Sequence, residues 1–390
     1  MFINEHITPP VNQYLSPKED FFSKEMSVMM AGFAILLMMI HHLFKSSVWL
    51  DDGVVWHTSF GYIGEVTIKI LSITGEICVQ IFALTSGYAL MMNPKAYTTW
   101  QKRFTRLFKF LMAYWVTNVF FLIIGFLNGD VMPDIKELAN NMIGLQTGPH
   151  LNWVNVPFAW YVCYYIEFIL LTPILIWGFS SNKKILDSTM VLSCIILVYV
   201  CRKIPSAAAY YLYPLMSSVL GIIIAKYSVF NKLHRLVTGR LHSALVVTAI
   251  ALVMIARYEI PKLNPLGGNN WQFFVDILLS FIAALLILFS VELFHRIRSR
   301  RFKEFFLLLG GLSMYLWFLH GIFFTGKNFL QSFIYAPKEP ILILLLCLAV
   351  TLPVAWFLKR FQTFIFEKIN KKRLFDTILN KINAINKAKQ

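Results

Sequence analysis

Runs of about 17 to 21 mostly apolar residues recur along the whole 390-residue chain, and about 20 residues carry a helix across the hydrocarbon of a bilayer. In lipid every backbone N–H and C=O must find its partner within the protein, so runs of this length are expected to be helical. The composition agrees, with 57% hydrophobic, 16% aromatic and only 14% charged residues and a mean hydropathy of +0.62. No soluble domain fits between the runs. The expected fold class is an all-α polytopic membrane protein, a bundle of about ten transmembrane helices with both termini cytoplasmic.

The ten spans are placed at 27–44, 76–92, 107–127, 158–178, 186–201, 209–225, 243–258, 273–293, 306–325 and 340–359. The stretch from Phe60 to Gly75 mixes Glu65 and Lys69 with Ile63, Val66, Ile68, Ile70 and Leu71. It reads as an amphipathic helix lying in the membrane interface rather than as an eleventh span. With that parity the inside segments hold 25 of the 36 Lys and Arg, as the positive-inside rule requires. An eleventh span would put "HRIRSRRFK" outside. The net charge of +16 therefore belongs to short loops on an anionic lipid bilayer, and no nucleic-acid partner is implied.

Three regions follow: a cytoplasmic N-terminal tail over 1–26, a transmembrane domain over 27–360, and a basic amphipathic cytoplasmic tail over 361–390. The first lacks the pattern of a cleaved signal peptide. The five cysteines, Cys78, Cys163, Cys194, Cys201 and Cys347, have no CxxC or metal-ligand spacing and read as small apolar residues. No metal site is expected.

Within the apolar runs a few polar residues stand out. "LLMMIHHLF", Leu36 to Phe44, sets His41 and His42 at the end of the first span. An ionisable group at membrane depth is costly to desolvate and points to function; the structural alternative is a histidine capping a helix end at the interface. Helical neighbours diverge by about 100°, so at most one of the pair faces squarely into the bundle. His320, in "SMYLWFLHGIFF", shares a helical face with Ser313 and Trp317, at i, i+4 and i+7. Its span runs outward, which places it in the outer half, at the depth of the histidine pair. Imidazoles there could deprotonate a hydroxyl. Glu167 and Asp276 could each orient an imidazole, although a structural hydrogen-bonding role is the favoured reading for both. Arg103 and Arg106 serve either as positive-inside anchors or as a fork for the phosphates of an anionic cosubstrate.

Taken in order, these stretches resemble the acyltransferase 3 family of multipass membrane acyltransferases. "GFAILLMMIHHLF" is similar to its first-span signature and "CVQIFALTSGYAL" to its second-span element. "KRFTRLFKF" resembles its basic loop, "WYVCYYIEFILLTP" its WY region, "YLYPLMSSVLGIIIAK" a later span and "LSMYLWFLH" its late element. The likeness covers about residues 27 to 360. It implies transfer of an acyl group, usually acetyl from acetyl-CoA as cosubstrate, to a hydroxyl of a carbohydrate or lipid-linked glycan. The stand-alone members of this kind act on capsule, exopolysaccharide or O-antigen at the bacterial plasma (inner) membrane.

The resemblance puts the family's first-span histidine on His42, with His41 beside it, and the late-span histidine on His320. Its basic-loop arginines fall on Arg103 and Arg106, and its Ser–Gly pair on Ser86 and Gly87. Trp160 and Tyr161 open its WY region, and Ser313 and Trp317 belong to its late element. One departure is Ala31, where the family usually carries Arg or Lys; Arg103, Arg106 or Lys24 is then left to hold the CoA phosphates. The mechanism implied has His42 as general base or transient acyl carrier, and His320 as oxyanion stabiliser or second acid–base group. The same hydropathy also suits a transporter or flippase of a glycan or lipid-linked intermediate, with the intramembrane His, Glu and Asp as a proton path, or a non-catalytic scaffold.

Overall fold

The computed structural model describes residues 21–45, 56–129, 134–145, 160–204, 212–236, 244, 247–248, 251, 268–323 and 329–371. The helices among them are α1 (Lys24–Phe44), α2 (Gly61–Thr74), α3 (Cys78–Met92), α4 (Trp100–Asn128), α5 (Ile135–Asn141), α6 (Trp160–Phe179) and α7 (Lys184–Lys203). They continue with α8 (Leu215–Lys226), α9 (Val229–Leu236), α10 (Gly268–Arg296), α11 (Arg300–Gly311), α12 (Ser313–Leu319), α13 (Phe329–Tyr335) and α14 (Pro340–Lys371). No strand occurs among the described residues. Local signals set several boundaries. Ser23 caps α1 by accepting from the Met26 N–H, Thr99 caps α4 by accepting from the Lys102 N–H, and Gly129, at φ +79°, ends α4.

Among the described residues seven segments are long and apolar enough to cross a membrane: α1, α2 with α3, α4, α6, α7, α10 and α14. α11 and α12 add an eighth as one span bent by 63°. The sixth expected span is the twelve-residue α8, and the seventh, 243–258, falls almost wholly outside the described residues. Residues 1–20 and 372–390 of the two expected tails lie outside them as well.

Two expectations are modified. The stretch from Phe60 to Gly75 is helical, with Tyr62, Ile63 and Ile70 exposed, but it passes through a 3-10 turn, Gly75–Ile77, into α3, and the combined segment is 32 residues long. The ninth span is broken rather than straight. Gly310 and Gly311 close α11, glycine being a poor helix former, and the chain turns at Leu312 before α12 begins.

Outward-facing side chains such as Ile123, Leu170, Ile196, Phe281 and Leu345 give the bundle an apolar exterior, while α8 is buried along nearly its whole length. Lipid tails are as apolar as leucine, so close backbone approach at small residues and interhelical hydrogen bonds hold such helices together. α3 and α8 meet this way: a Cβ on Gly87 would lie 1.8 Å from the Ser218 carbonyl oxygen. Ser218 Oγ donates to the Ala83 carbonyl (2.7 Å) and lies 2.6 Å from the Tyr164 hydroxyl. Gly87→Val must force α3 and α8 apart, so the apparent Tm of the purified protein in detergent should fall by an amount reflecting about 1–3 kcal/mol or more of overpacking. An unchanged Tm would show that this contact does not hold the bundle.

Candidate active site

The last turn of α1 carries the histidine pair, and the two rings diverge as helical geometry requires. His41 turns toward the end of α2, its Nδ1 2.8 Å from the Ser72 carbonyl oxygen. His42 turns toward α12. That helix ends at Leu319 and continues into a 3-10 turn that begins at His320, whose Nδ1 lies 2.5 Å from the Trp317 carbonyl oxygen. The three imidazoles cluster, His41 edge-on to His42 with centroids 4.6 Å apart and His42 tilted by 37° against His320 at 5.0 Å. His41 and His320 are buried, whereas His42, in the middle, is only half-buried.

A carbonyl oxygen can only accept a hydrogen bond, so Nδ1 carries the proton in His41 and His320 and Nε2 keeps its lone pair in the neutral rings. The orienting partners are thus main-chain carbonyls rather than the carboxylates considered from sequence. Asp276 is paired with Arg202 between α10 and α7, and Glu167 lies beside the Cys163 thiol, at 4.0 Å. Among the described residues no group of three or more His, Cys, Asp or Glu side chains is arranged to hold a metal ion.

Beneath His320 lies an aromatic floor. Trp317 packs between Phe82 (5.4 Å) and Tyr161 (4.9 Å). Tyr161 is hydrogen-bonded with Ser86, whose hydroxyl donates to the Phe82 carbonyl at 2.8 Å, and Trp160 lies against Tyr213 at 5.5 Å. Ser86, Trp160, Tyr161 and Trp317 are therefore brought together, whereas Ser313 sits at the opposite end of α12 from His320. Phe318 touches Phe110 and Tyr114 of α4. His320, two residues further on, therefore lies close in height to Tyr114 of that helix.

A cavity of about 460 Å³ opens between α4, α6, α12 and α14, lined by Arg106, Lys109, Phe110, Tyr165, Met314 and Gln362 among others. The two arginines separate here. Arg106 lines the cavity, held by the Ala96 carbonyl (3.3 Å) and lying over the Tyr97 ring at 4.5 Å. Arg103 instead donates to the Tyr97 carbonyl at 3.1 Å and is not in the lining. Burial pushes the Tyr97 phenol above its ordinary value, with Arg106 opposing the shift. Lys24 and Ala31, on α1, are not in the lining either. Lys109 supplies the second cation, and its i+3 relation to Arg106 is the signal that could have found it. Met314 precedes His320 by six residues and Tyr165 follows Tyr161 by four, so the inner wall ends about 6 to 9 Å of helix rise short of the imidazoles and their floor.

The molecule is thus a multi-pass helical membrane protein with a cluster of three imidazoles in its interior and a separate cavity lined by two basic residues. A family model described as an acyltransferase domain, Acyl_transf_3, matches residues 30–360. The chain belongs to the acyltransferase 3 family and is a membrane acyltransferase. No curated protein and no solved structure matches it.

The ring spacing depends on Gly75, where a Cβ would lie 2.1 Å from the Leu37 carbonyl oxygen and 2.8 Å from His41 Cβ. Gly75→Val should displace the last turn of α1 and lower acyl transfer by about tenfold or more, since a misplacement of 1 Å can cost about a hundredfold. Transfer at the wild-type rate by membranes containing equal amounts of the variant would show that this spacing does not matter.

Proposed function

We propose that the protein is an O-acyltransferase that moves an acetyl group from cytoplasmic acetyl-CoA to a hydroxyl of a cell-surface polysaccharide or its lipid-linked precursor, in the bacterial plasma membrane. The observation that carries this reading is the meeting of His42 and His320, from opposite parts of the chain, at 5.0 Å in the bundle interior. The basic-mouthed cavity supports a CoA donor. The Arg106 guanidinium fork and the Lys109 ammonium suit phosphates, and the apolar lining of Phe110, Tyr165 and Met314 suits the arm that carries the thioester.

His42, the imidazole with open surface, takes the proton from the acceptor hydroxyl as its oxygen attacks the thioester carbonyl. The new C–O bond forms, the C–S bond breaks, and the leaving thiolate is protonated by an imidazole. His320, its Nδ1–H committed to the Trp317 carbonyl, presents a lone pair at Nε2. It therefore suits the second acid–base position better than that of an oxyanion donor.

General base catalysis contributes about 10² to 10⁴-fold. His42→Ala should lower turnover of labelled acetyl by that order with an unchanged Tm, and near wild-type transfer would remove His42 from the mechanism. Hydrogen bonds to charged groups are worth about 1.5–3 kcal/mol, so Arg106→Ala should raise the KM for acetyl-CoA about 10- to 100-fold and leave the acceptor KM in place. If the acceptor KM rises instead, the cavity is not the donor site.

A further inference from the structure

Asn118 lies past the middle of α4 and is only 1% exposed, and among the described residues neither its side-chain oxygen nor its nitrogen has a hydrogen-bond partner. A carboxamide left dry and unpaired costs stability, and an apolar residue of similar volume would not. The other polar side chains on this buried stripe are satisfied. Thr117 donates to the Ala113 carbonyl (2.9 Å), and Tyr114 donates to the Asn141 carbonyl (2.5 Å).

The position of Asn118 follows from its neighbours. Met314 shares the cavity with Arg106 and Phe110, and Phe318, one turn further on, touches Phe110 and Tyr114. α12 and α4 therefore ascend in the same direction. Asn118 is one turn beyond Tyr114 on the same face, which brings it within about one turn, roughly 5 Å in height, of His320. It is also three turns, about 18 Å, beyond Arg106, on the side of the imidazoles away from the cavity. The face is covered by protein rather than lipid. After α4 ends the chain folds back, and Tyr114 and Trp115 hold the carbonyls of Asn141 and Met142 at 2.5 and 2.8 Å.

We propose that Asn118 is an acceptor-binding residue, its carboxamide donating to one hydroxyl and accepting from the neighbouring hydroxyl of a polyhydroxylated, carbohydrate-class acceptor as a third or adjacent hydroxyl is presented to His42. This rests on the acyl-transfer reading above and adds to it the side from which the alcohol enters: donor from the Arg106 end, acceptor from the Asn118 end. A carboxamide, which is both donor and acceptor, matches adjacent hydroxyls as a purely apolar wall does not.

The test uses the full-length protein in lipid nanodiscs, with acetyl-CoA and unacetylated surface polysaccharide isolated from cells lacking the protein, and follows thiol release. Asn118→Leu should raise the KM for the polysaccharide at least tenfold, leave the KM for acetyl-CoA unchanged, and leave the apparent Tm unchanged or higher. An unchanged polysaccharide KM in an active wild-type background overturns this inference alone. So does a lowered Tm with both KM values disturbed, which would show a structural asparagine. A wild-type protein that releases no polysaccharide-dependent thiol fails the acyl-transfer reading, and the inference with it.

Discussion

The cluster of His41, His42 and His320 is the feature on which the site depends, because imidazoles in an apolar interior must be held in place by something other than water. The holding groups are main-chain carbonyls. Ser72 takes the Nδ1–H of His41, and Trp317 takes that of His320. Each carbonyl is available because its helix is ending: α2 gives way to a 3-10 turn after Thr74, and α12 gives way to another at His320. The last carbonyls of a helix lack intrahelical partners, so a ring placed there finds an acceptor without burying a second ionisable side chain. The site therefore sits where helices break, and irregular backbone at membrane depth is tolerated where protein surrounds it.

That placement also explains the shape of the surroundings. The bend between α11 and α12 brings His320 to the level of Tyr114 and Phe318, while Met314 at the start of α12 reaches the basic-mouthed cavity. One short helix thus spans the distance from cavity wall to imidazole. Trp317, between Phe82 and Tyr161, closes the floor between them. In the proposed mechanism that floor keeps water from the thioester, and water exclusion strengthens the electrostatic contacts that remain.

Much of this was legible in the sequence, for definable reasons. Histidines inside apolar runs are conspicuous, since desolvation makes them costly, and both helices that carry them were placed from hydropathy. The divergence of His41 from His42 followed from helical geometry alone. The orienting groups were not legible, because a backbone carbonyl leaves no mark in a residue pattern. Lys109 does not stand out in the sequence, because a basic residue near the cytoplasmic end of a span is what the positive-inside rule expects anyway. Gln362 lay beyond the expected end of the transmembrane domain at residue 360, yet α14 runs unbroken to Lys371 and brings this side chain to the cavity. The break near Leu312 was signalled by Gly310 and Gly311, whose low helix propensity an averaged apolar run conceals. Asn118 is unremarkable within "AYWVTNVFFLII", since one polar residue in a span is ordinary. Only its lack of a hydrogen-bond partner among the described residues distinguishes it.

The central claim is that the two imidazoles and the cavity below them form one continuous donor-to-base path. It is tested most directly by an electron cryo-microscopy structure in nanodiscs with an unreactive thioether analogue of acetyl-CoA. The account predicts density for the phosphates against Arg106 and Lys109, with the acetyl carbon ending between the His42 and His320 rings. Analogue bound elsewhere, or rings turned apart toward lipid with no passage between cavity and imidazoles, would contradict it.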